Sequence, residues 1–197
     1  MYLKVPDPPT TLSKEEQSRL LKVVACQGSR RDLALLTLAL GTGLRLSEVV
    51  GLNVGDVATK AGGVAWKVVL PKAITKGRRG GVAFLSERVR SALGDYLTSK
   101  RVVGERVGKA AFLFRSSQGR RLGIRRAQTI FTHWQQVAGF DRLYNFHTLR
   151  HTAITNVYRA TKDLFLTQRF ARHANPITTV AYTHPSDEEL YEKIGGI

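Results

Sequence analysis

Four polar side chains crowd the last quarter of the chain at spacings that suit attack on a phosphodiester: His147, Arg150, His173 and Tyr182. His147 and Arg150 are three residues apart, so a helix through them sets both on one face. An arginine offers a planar fork of donors matched to phosphate oxygens, and a histidine can donate a hydrogen bond or move a proton near neutral pH. A tyrosine hydroxyl can act as a nucleophile, although its ordinary pKa of about 10 makes it a poor one at pH 7. Nearby cations are expected to lower that barrier. A further arginine, Arg45, stands far upstream in Gly41-Thr42-Gly43-Leu44-Arg45-Leu46-Ser47-Glu48.

Taken singly, each of these residues has an ordinary explanation. Arg45 and Glu48 could form a helix-face ion pair, worth little at a surface; alternatively Glu48 steadies the guanidinium from behind while Arg45 faces a phosphate. Tyr182 could be a packing residue with a bonded hydroxyl. His147 and His151 are four apart, as zinc ligands are on a peptidase helix. The intervening glutamate is missing, however, and Arg150 between them repels a dication. No metal site and no cofactor are expected, and His151 is expected to make a structural hydrogen bond. Lys76 lies in a basic stretch with Lys72, Arg78 and Arg79. There a lysine could protonate a leaving oxygen or simply attract backbone phosphate, and position alone does not separate the four.

The composition points to a polyanionic partner. The chain has 197 residues, a formal net charge of +16 and a pI near 10.6, and 43% of its residues are hydrophobic, enough for a core. Between Lys67 and Arg126 there are sixteen Lys or Arg against three acids, Glu87, Asp95 and Glu105. The last residues run the other way, with Asp187, Glu188, Glu189 and Glu192 around Lys193. Cys26 is the single cysteine, which excludes an internal disulfide; it falls in a helical pattern and is expected to be buried. The start lacks a signal-peptide core, and the longest apolar run, Leu33 to Leu40, is too short to span a bilayer. A soluble, cytoplasmic protein is expected.

The elements that must position these residues are mostly helical. Residues 1–12 hold three of the six prolines and read as a linker. Ser13 with Glu16 forms a capping box that opens a first helix. Further helices are expected over about 30–40, 47–52, 86–100, 125–138, 147–160, 163–172, 176–183 and 186–194. Val64–Leu70 and Val82–Leu85 read as a small antiparallel sheet joined by the basic loop, and 101–124 as an irregular connection. The expected fold is α+β, mainly α-helical, with a small antiparallel sheet on one side.

The order of the pieces resembles the tyrosine recombinase, or phage integrase, family, specifically its catalytic domain. They are Thr42-Gly43-Leu44-Arg45-Leu46-Ser47-Glu48-Val49, Thr75-Lys76-Gly77-Arg78-Arg79, His147-Thr148-Leu149-Arg150-His151-Thr152, Arg172-His173, and Thr179-Val180-Ala181-Tyr182-Thr183-His184. The resemblance covers about residues 10–195. It implies that Arg45 and Arg150 bind the non-bridging oxygens of the scissile phosphate and that Tyr182 attacks it. Lys76 would protonate the leaving 5′-hydroxyl, with Lys72 the other candidate. His147 would assist proton transfer at the nucleophile, His173 would hydrogen-bond the phosphate, and Glu48 would support Arg45.

The resemblance further implies a site-specific DNA recombinase acting through a 3′-phosphotyrosine, without metal or ATP. Lys72, Arg78, Arg79, Arg120, Arg121, Arg125, Arg126 and Arg172 are the expected DNA contacts. Double-stranded target DNA, a tetramer on that DNA and an accessory DNA-bending protein are the implied partners, with no membrane. Residues 13–185 would form the catalytic domain, and 186–197 a tail helix docking on a neighbouring protomer or on its own domain. The family commonly carries Leu-Gly-His where this chain has Ala171-Arg172-His173, so either the turn differs or Arg172 contacts DNA. The family's N-terminal DNA-clamping domain is not found ahead of residue 10, which fits either an excised domain or a minimal recombinase. The other readings are a type IB-like topoisomerase, a catalytically silent DNA-binding protein on the same scaffold, and a basic RNA-binding protein.

Overall fold

The computed structural model describes residues 7–75, 77, 80–183, 191, 194 and 195. Ser13 caps α1 (Lys14–Gln27) with the expected reciprocal bonds to Glu16, and α1 buries Leu20, Leu21 and Val24. Cys26 is exposed rather than buried. It lies two positions beyond Val24, about 200° around the helix and so on the outer face.

The central element is α2 (Arg30–Thr42), which buries Ala34, Leu35, Leu36, Leu38 and Ala39. It packs against α1, α5 (Glu87–Val102) and α7 (His147–Thr161). An apolar run that covers more than one face of a helix fits a position inside the domain, with neighbours on several sides. Two short helices follow α2, α3 (Leu46–Gly51) and α4 (Val54–Val57), the second of which the sequence pattern does not announce.

The sheet is small and antiparallel, pairing β1 (Lys67–Leu70) with β2 (Gly81–Phe84) in the register Lys67↔Phe84 to Leu70↔Gly81. Val68, Leu70 and Ala83 turn inward, while Val69, Val82 and Phe84 remain exposed on the outer face. Between the strands, Lys72–Ile74 makes one 3-10 turn. Thr75 pins the base of the loop: its hydroxyl donates to Lys72 O at 3.1 Å and accepts from Gly80 N at 3.0 Å.

The second half is helical: α6 (Ile124–Val137), α7, α8 (Leu164–Ala171) and α9 (Ile177–Val180). The stretch 103–123 is irregular, as expected, and crosses back to Asn53 through a bridge at Phe112. Most of the core is one cluster. A smaller one of Ile154, Ala171, Ala181 and Tyr182 sits where α7, α8 and α9 meet, with Phe170 beside it. Among the described residues no helix is long and apolar enough to cross a membrane. The expected tail helix over 186–194 lies mostly outside the described residues; Tyr191 and Ile194 are exposed.

Candidate active site

Arg45 is delivered by a sharp turn. α2 ends at Gly43, whose φ of 59° is left-handed, a conformation that favours glycine. A Cβ at Gly43 would also meet Phe170 at 3.2 Å and Ala153 at 3.5 Å, so conformation and close packing both call for glycine. Two residues later, the Arg45 backbone N–H donates to Glu48 Oε2 at 2.8 Å, and its guanidinium lies 3.4 Å from Glu48 Oε1. Glu48 is 1% exposed. The expected support of Arg45 by Glu48 therefore has a geometric basis.

α7 carries the next group. The Asn145 side chain accepts from Thr148 N at 3.2 Å and secures the helix start. One face of α7 is buried through Leu149, Thr152, Ala153 and Ile154, and Arg150 is buried with it. Its fork donates to Gly43 O and, at 2.6 Å, to Ala171 O. Arg150 thus ties the turn that presents Arg45 to the turn that presents His173. Burial, then the charges of Arg45 and Arg172, bring its pKa down to about 10, still fully cationic at pH 7.

That second turn holds Arg172 and His173. Arg172 ends α8 with φ 56° and ψ 40°, so the turn itself keeps a left-handed form in spite of the arginine. Its guanidinium donates to Glu48 Oε2 at 3.0 Å. His173 Nδ1 is 2.9 Å from the Thr179 hydroxyl, which orients the ring. Arg45, Glu48, Arg172 and His173 line one cavity of about 420 Å³, with Thr75, Gly77, Gly80, Ala174, Asn175 and Thr178 completing its wall. The two sides of the basic loop therefore reach the cavity, while Lys76, Arg78 and Arg79 themselves lie outside the described residues. Lys72 is exposed at the start of the same loop.

Tyr182 comes from the turn after α9 and is 7% exposed. Its hydroxyl lies 2.7 Å from His151 Nδ1, and its ring centroid is 5.9 Å from that of His173. His147 is exposed and stands edge-on to His151, with centroids 4.5 Å apart. Among the described residues, then, the nucleophile candidate is bonded to His151, whereas the sequence reading had placed His147 there. Burial raises the Tyr182 pKa and outweighs the opposing influence of Arg150 and Arg45, so the expected easing of its ionisation does not occur in the free protein. His151 and His173 are both pushed down to about 4, first by burial and then by the surrounding cations. His147 moves down as well, through partial desolvation, Arg150 and Arg45. The imidazoles of His151 and His173 are therefore neutral at pH 7.

A buried fork of donors, an adjacent half-buried arginine, neutral imidazoles and a phenol are groups that can bind a phosphodiester and attack it. The chain matches the phage integrase family over residues 10–189. The chain belongs to that family. As a family member it is 32% identical over 188 residues to tyrosine recombinase XerC of Caldanaerobacter subterraneus subsp. tengcongensis, covering 94% of this chain and 50% of that protein. It is 29% identical over 192 residues to tyrosine recombinase XerD of Corynebacterium glutamicum, covering 93% of this chain and 60% of the other. The crystal structure of XerA recombinase superposes with a TM-score of 0.79 at 26% identity, over 97% of this chain and 66% of that one. XerH bound to its difH substrate superposes with a TM-score of 0.75 at 24% identity, over 98% and 55%. The chain spans about half to three fifths of the length of these curated relatives.

For this integrase-family chain, two site features escape the sequence reading. His151 was expected to bond structurally, and its partner proves to be the tyrosine hydroxyl 31 residues away. The i+4 spacing from His147 was the available signal, but it suggested only a metal. Arg121, expected on DNA, instead turns its fork into the protein. It donates to the carbonyls of Val50 at 3.0 Å, Gly51 and Leu52 at 3.1 Å and to Asn53 Oδ1 at 2.8 Å, and it stacks on Phe112. These are the orphan carbonyls at the end of α3, which need a donor. Arg120, Arg125 and Arg126 are exposed.

Proposed function

We propose that this chain is the catalytic domain of a site-specific recombinase, cutting and rejoining DNA through a 3′-phosphotyrosine. The observation that carries the reading is the convergence of Arg45, Arg150, His173 and Tyr182 from four separate elements: Arg150 ties the turns that present Arg45 and His173, these two line one cavity, and the Tyr182 ring lies 5.9 Å from that of His173. In this scheme Arg45 and Arg150 hold the non-bridging oxygens of the scissile phosphate, and His173 adds a hydrogen bond. Tyr182 attacks in line, and a lysine of the basic loop, Lys76 or else Lys72, protonates the departing 5′-oxygen. The phosphotyrosine conserves the phosphodiester bond energy, so a second hydroxyl can reverse the step. Family membership and the names of the relatives, tyrosine recombinases XerC and XerD, favour recombination over relaxation.

Residues 13–185 form the catalytic unit of this proposal, the acidic tail serves as the contact between protomers, and the assembly on DNA is a tetramer. The DNA partner is supported by the basic stretch and by the exposed Arg120, Arg125, Arg126 and Lys72. Arg125 and Arg126 occupy the first turn of α6, where the helix dipole disfavours cations, and among the described residues neither has an ion pair. A phosphate placed there would offset that cost. An accessory DNA-bending protein and residence on the nucleoid follow from the same reading. The test is covalent capture: the protein is incubated, without added metal, with a pool of nicked duplexes of random sequence, and DNA that stays attached through detergent is sequenced. Recovery of one recurring site supports the reading. Attachment without sequence preference favours a relaxing enzyme, and no attachment favours a silent DNA-binding protein.

A further inference from the structure

We propose that His151 accepts the proton of the Tyr182 hydroxyl as the tyrosine attacks the phosphate, which makes it a catalytic residue distinct from His147. The inference rests on Tyr182 being the nucleophile, as proposed above.

The geometry is direct. His151 Nδ1 is 2.7 Å from Tyr182 Oη, the range of a good hydrogen bond to a hydroxyl. Among the described residues no other side chain is bonded to that hydroxyl. His173, the other imidazole near the tyrosine ring, has its Nδ1 engaged by Thr179. His147 stands edge-on to His151, with ring centroids 4.5 Å apart. The backbone fixes both partners: His151 lies on α7 next to the buried Arg150, and Tyr182 belongs to the small apolar cluster under α7 and α8.

The electrostatics explain how a weak base can serve. His151 is faced by His147 and Arg150 from its own helix and by Tyr182 from the turn after α9, with His173 close by. In the free protein burial, then His147 and Arg150, keep it neutral, and the transfer requires the tautomer with its proton on Nε2, so that the Nδ1 lone pair accepts from the phenol. The hydrogen bond then aims Oη without removing its proton. A bound phosphodiester brings negative charge to Arg150 and Arg45, and the attack adds more. Both changes favour an imidazolium at His151. In the step itself the Oη–P bond forms as the Oη proton passes to Nδ1. The bond from phosphorus to the 5′-oxygen breaks, its electron pair stays on that oxygen, and the loop lysine supplies the proton there. In the reverse step the imidazolium returns its proton to Oη.

The experiment measures single-turnover adduct formation on a captured nicked duplex by the full chain, with tyrosine or 2,3-difluorotyrosine at position 182. Fluorination makes the phenol more acidic, so it reduces the need for a base. His151→Asn keeps an acceptor close to the Nδ1 position but cannot take the proton, and His151→Gln is the second variant should the shorter side chain disturb the fold. The expected result for His151→Asn is a loss of about 10²-fold or more in rate, with fluorination restoring about tenfold of it. DNA affinity stays close to that of the parent, and His147→Asn shows no such rescue. The proposal is overturned by a His151→Asn protein as fast as the parent, or by a loss that fluorination repairs in His147→Asn but not in His151→Asn. A parent protein that forms no adduct overturns the strand-cutting reading itself; a parent that forms one alongside an unimpaired His151→Asn overturns only the proton transfer.

Discussion

Arg172 donates from Nη2 to Glu48 Oε2 at 3.0 Å, and the same carboxylate oxygen accepts the Arg45 backbone N–H at 2.8 Å. One buried acid therefore joins the turn after α8 to the start of α3 and pairs with two of the three arginines gathered there, offsetting one of their charges. Glu48→Gln leaves the Arg172 guanidinium, 11% exposed, without its counter-charge, at an expected cost of about 3 kcal/mol. Arg172→Gly breaks the same pair, but Glu48 keeps Arg45 as a counter-charge and glycine adopts φ 56° freely, so it should cost distinctly less. Urea unfolding of both variants checks this. Equal midpoints would mean that Arg45 alone does not satisfy the Glu48 carboxylate.

Arg121 and the pair Arg125 and Arg126 should separate cleanly although they are close in sequence. Arg121→Ala abandons the carbonyls at the end of α3 and should lower stability by about 2–3 kcal/mol. Arg125→Ala and Arg126→Ala remove cations from the first turn of α6 and should leave stability unchanged or slightly raised. If these two contact phosphate, each substitution reduces the slope of log affinity against log salt by about 1. Thermal unfolding and DNA binding at several salt concentrations supply the two readings. A full salt slope in the double variant would remove these residues from the DNA face.

Lys100 is 1% exposed and paired with Glu105, and it also lies over the Tyr96 ring. Burial alone would raise the Glu105 pKa, but the hydrogen bond and charge of Lys100, aided by Arg115, bring it below the usual value. A carboxylate lowered by folding stabilises the protein above its ordinary pKa, and that contribution fades as pH falls through the lowered one. Glu105→Gln should therefore cost about 3 kcal/mol near neutrality, where it strands a buried ammonium. The difference from the parent should shrink at acid pH, where the parent's own carboxylate is protonated. A difference that stays constant from pH 7 to pH 3 would contradict this.

Much of the framework could be read from residue patterns, because local chemistry sets it. The Ser13–Glu16 capping box, the apolar run of α2 and the β-rich runs of the two strands each specify their element through neighbours a few positions apart. The order of Arg45, Arg150, His173 and Tyr182 was legible for a similar reason: each sits in a short, recognisable piece. What was hidden depends on separation in sequence. Arg121 meets α3 across about 70 residues, and no local pattern says whether an arginine faces DNA or a set of orphan carbonyls. His151 meets Tyr182 across 31 residues, and the choice between it and His147 turns on helix phase relative to α9. Cys26 was misplaced for want of the same phase information.

The central claim is that Tyr182 becomes covalently joined to a DNA 3′-phosphate. The most direct measurement digests the captured protein–DNA adduct and locates the nucleotide-bearing peptide by mass spectrometry, for the parent and for Tyr182→Phe. The expected result is a phosphonucleotide on Tyr182 in the parent and no adduct in the variant, with DNA binding by the variant close to that of the parent. An adduct that persists in Tyr182→Phe, or a nucleotide carried by any other residue of the parent, would contradict the account.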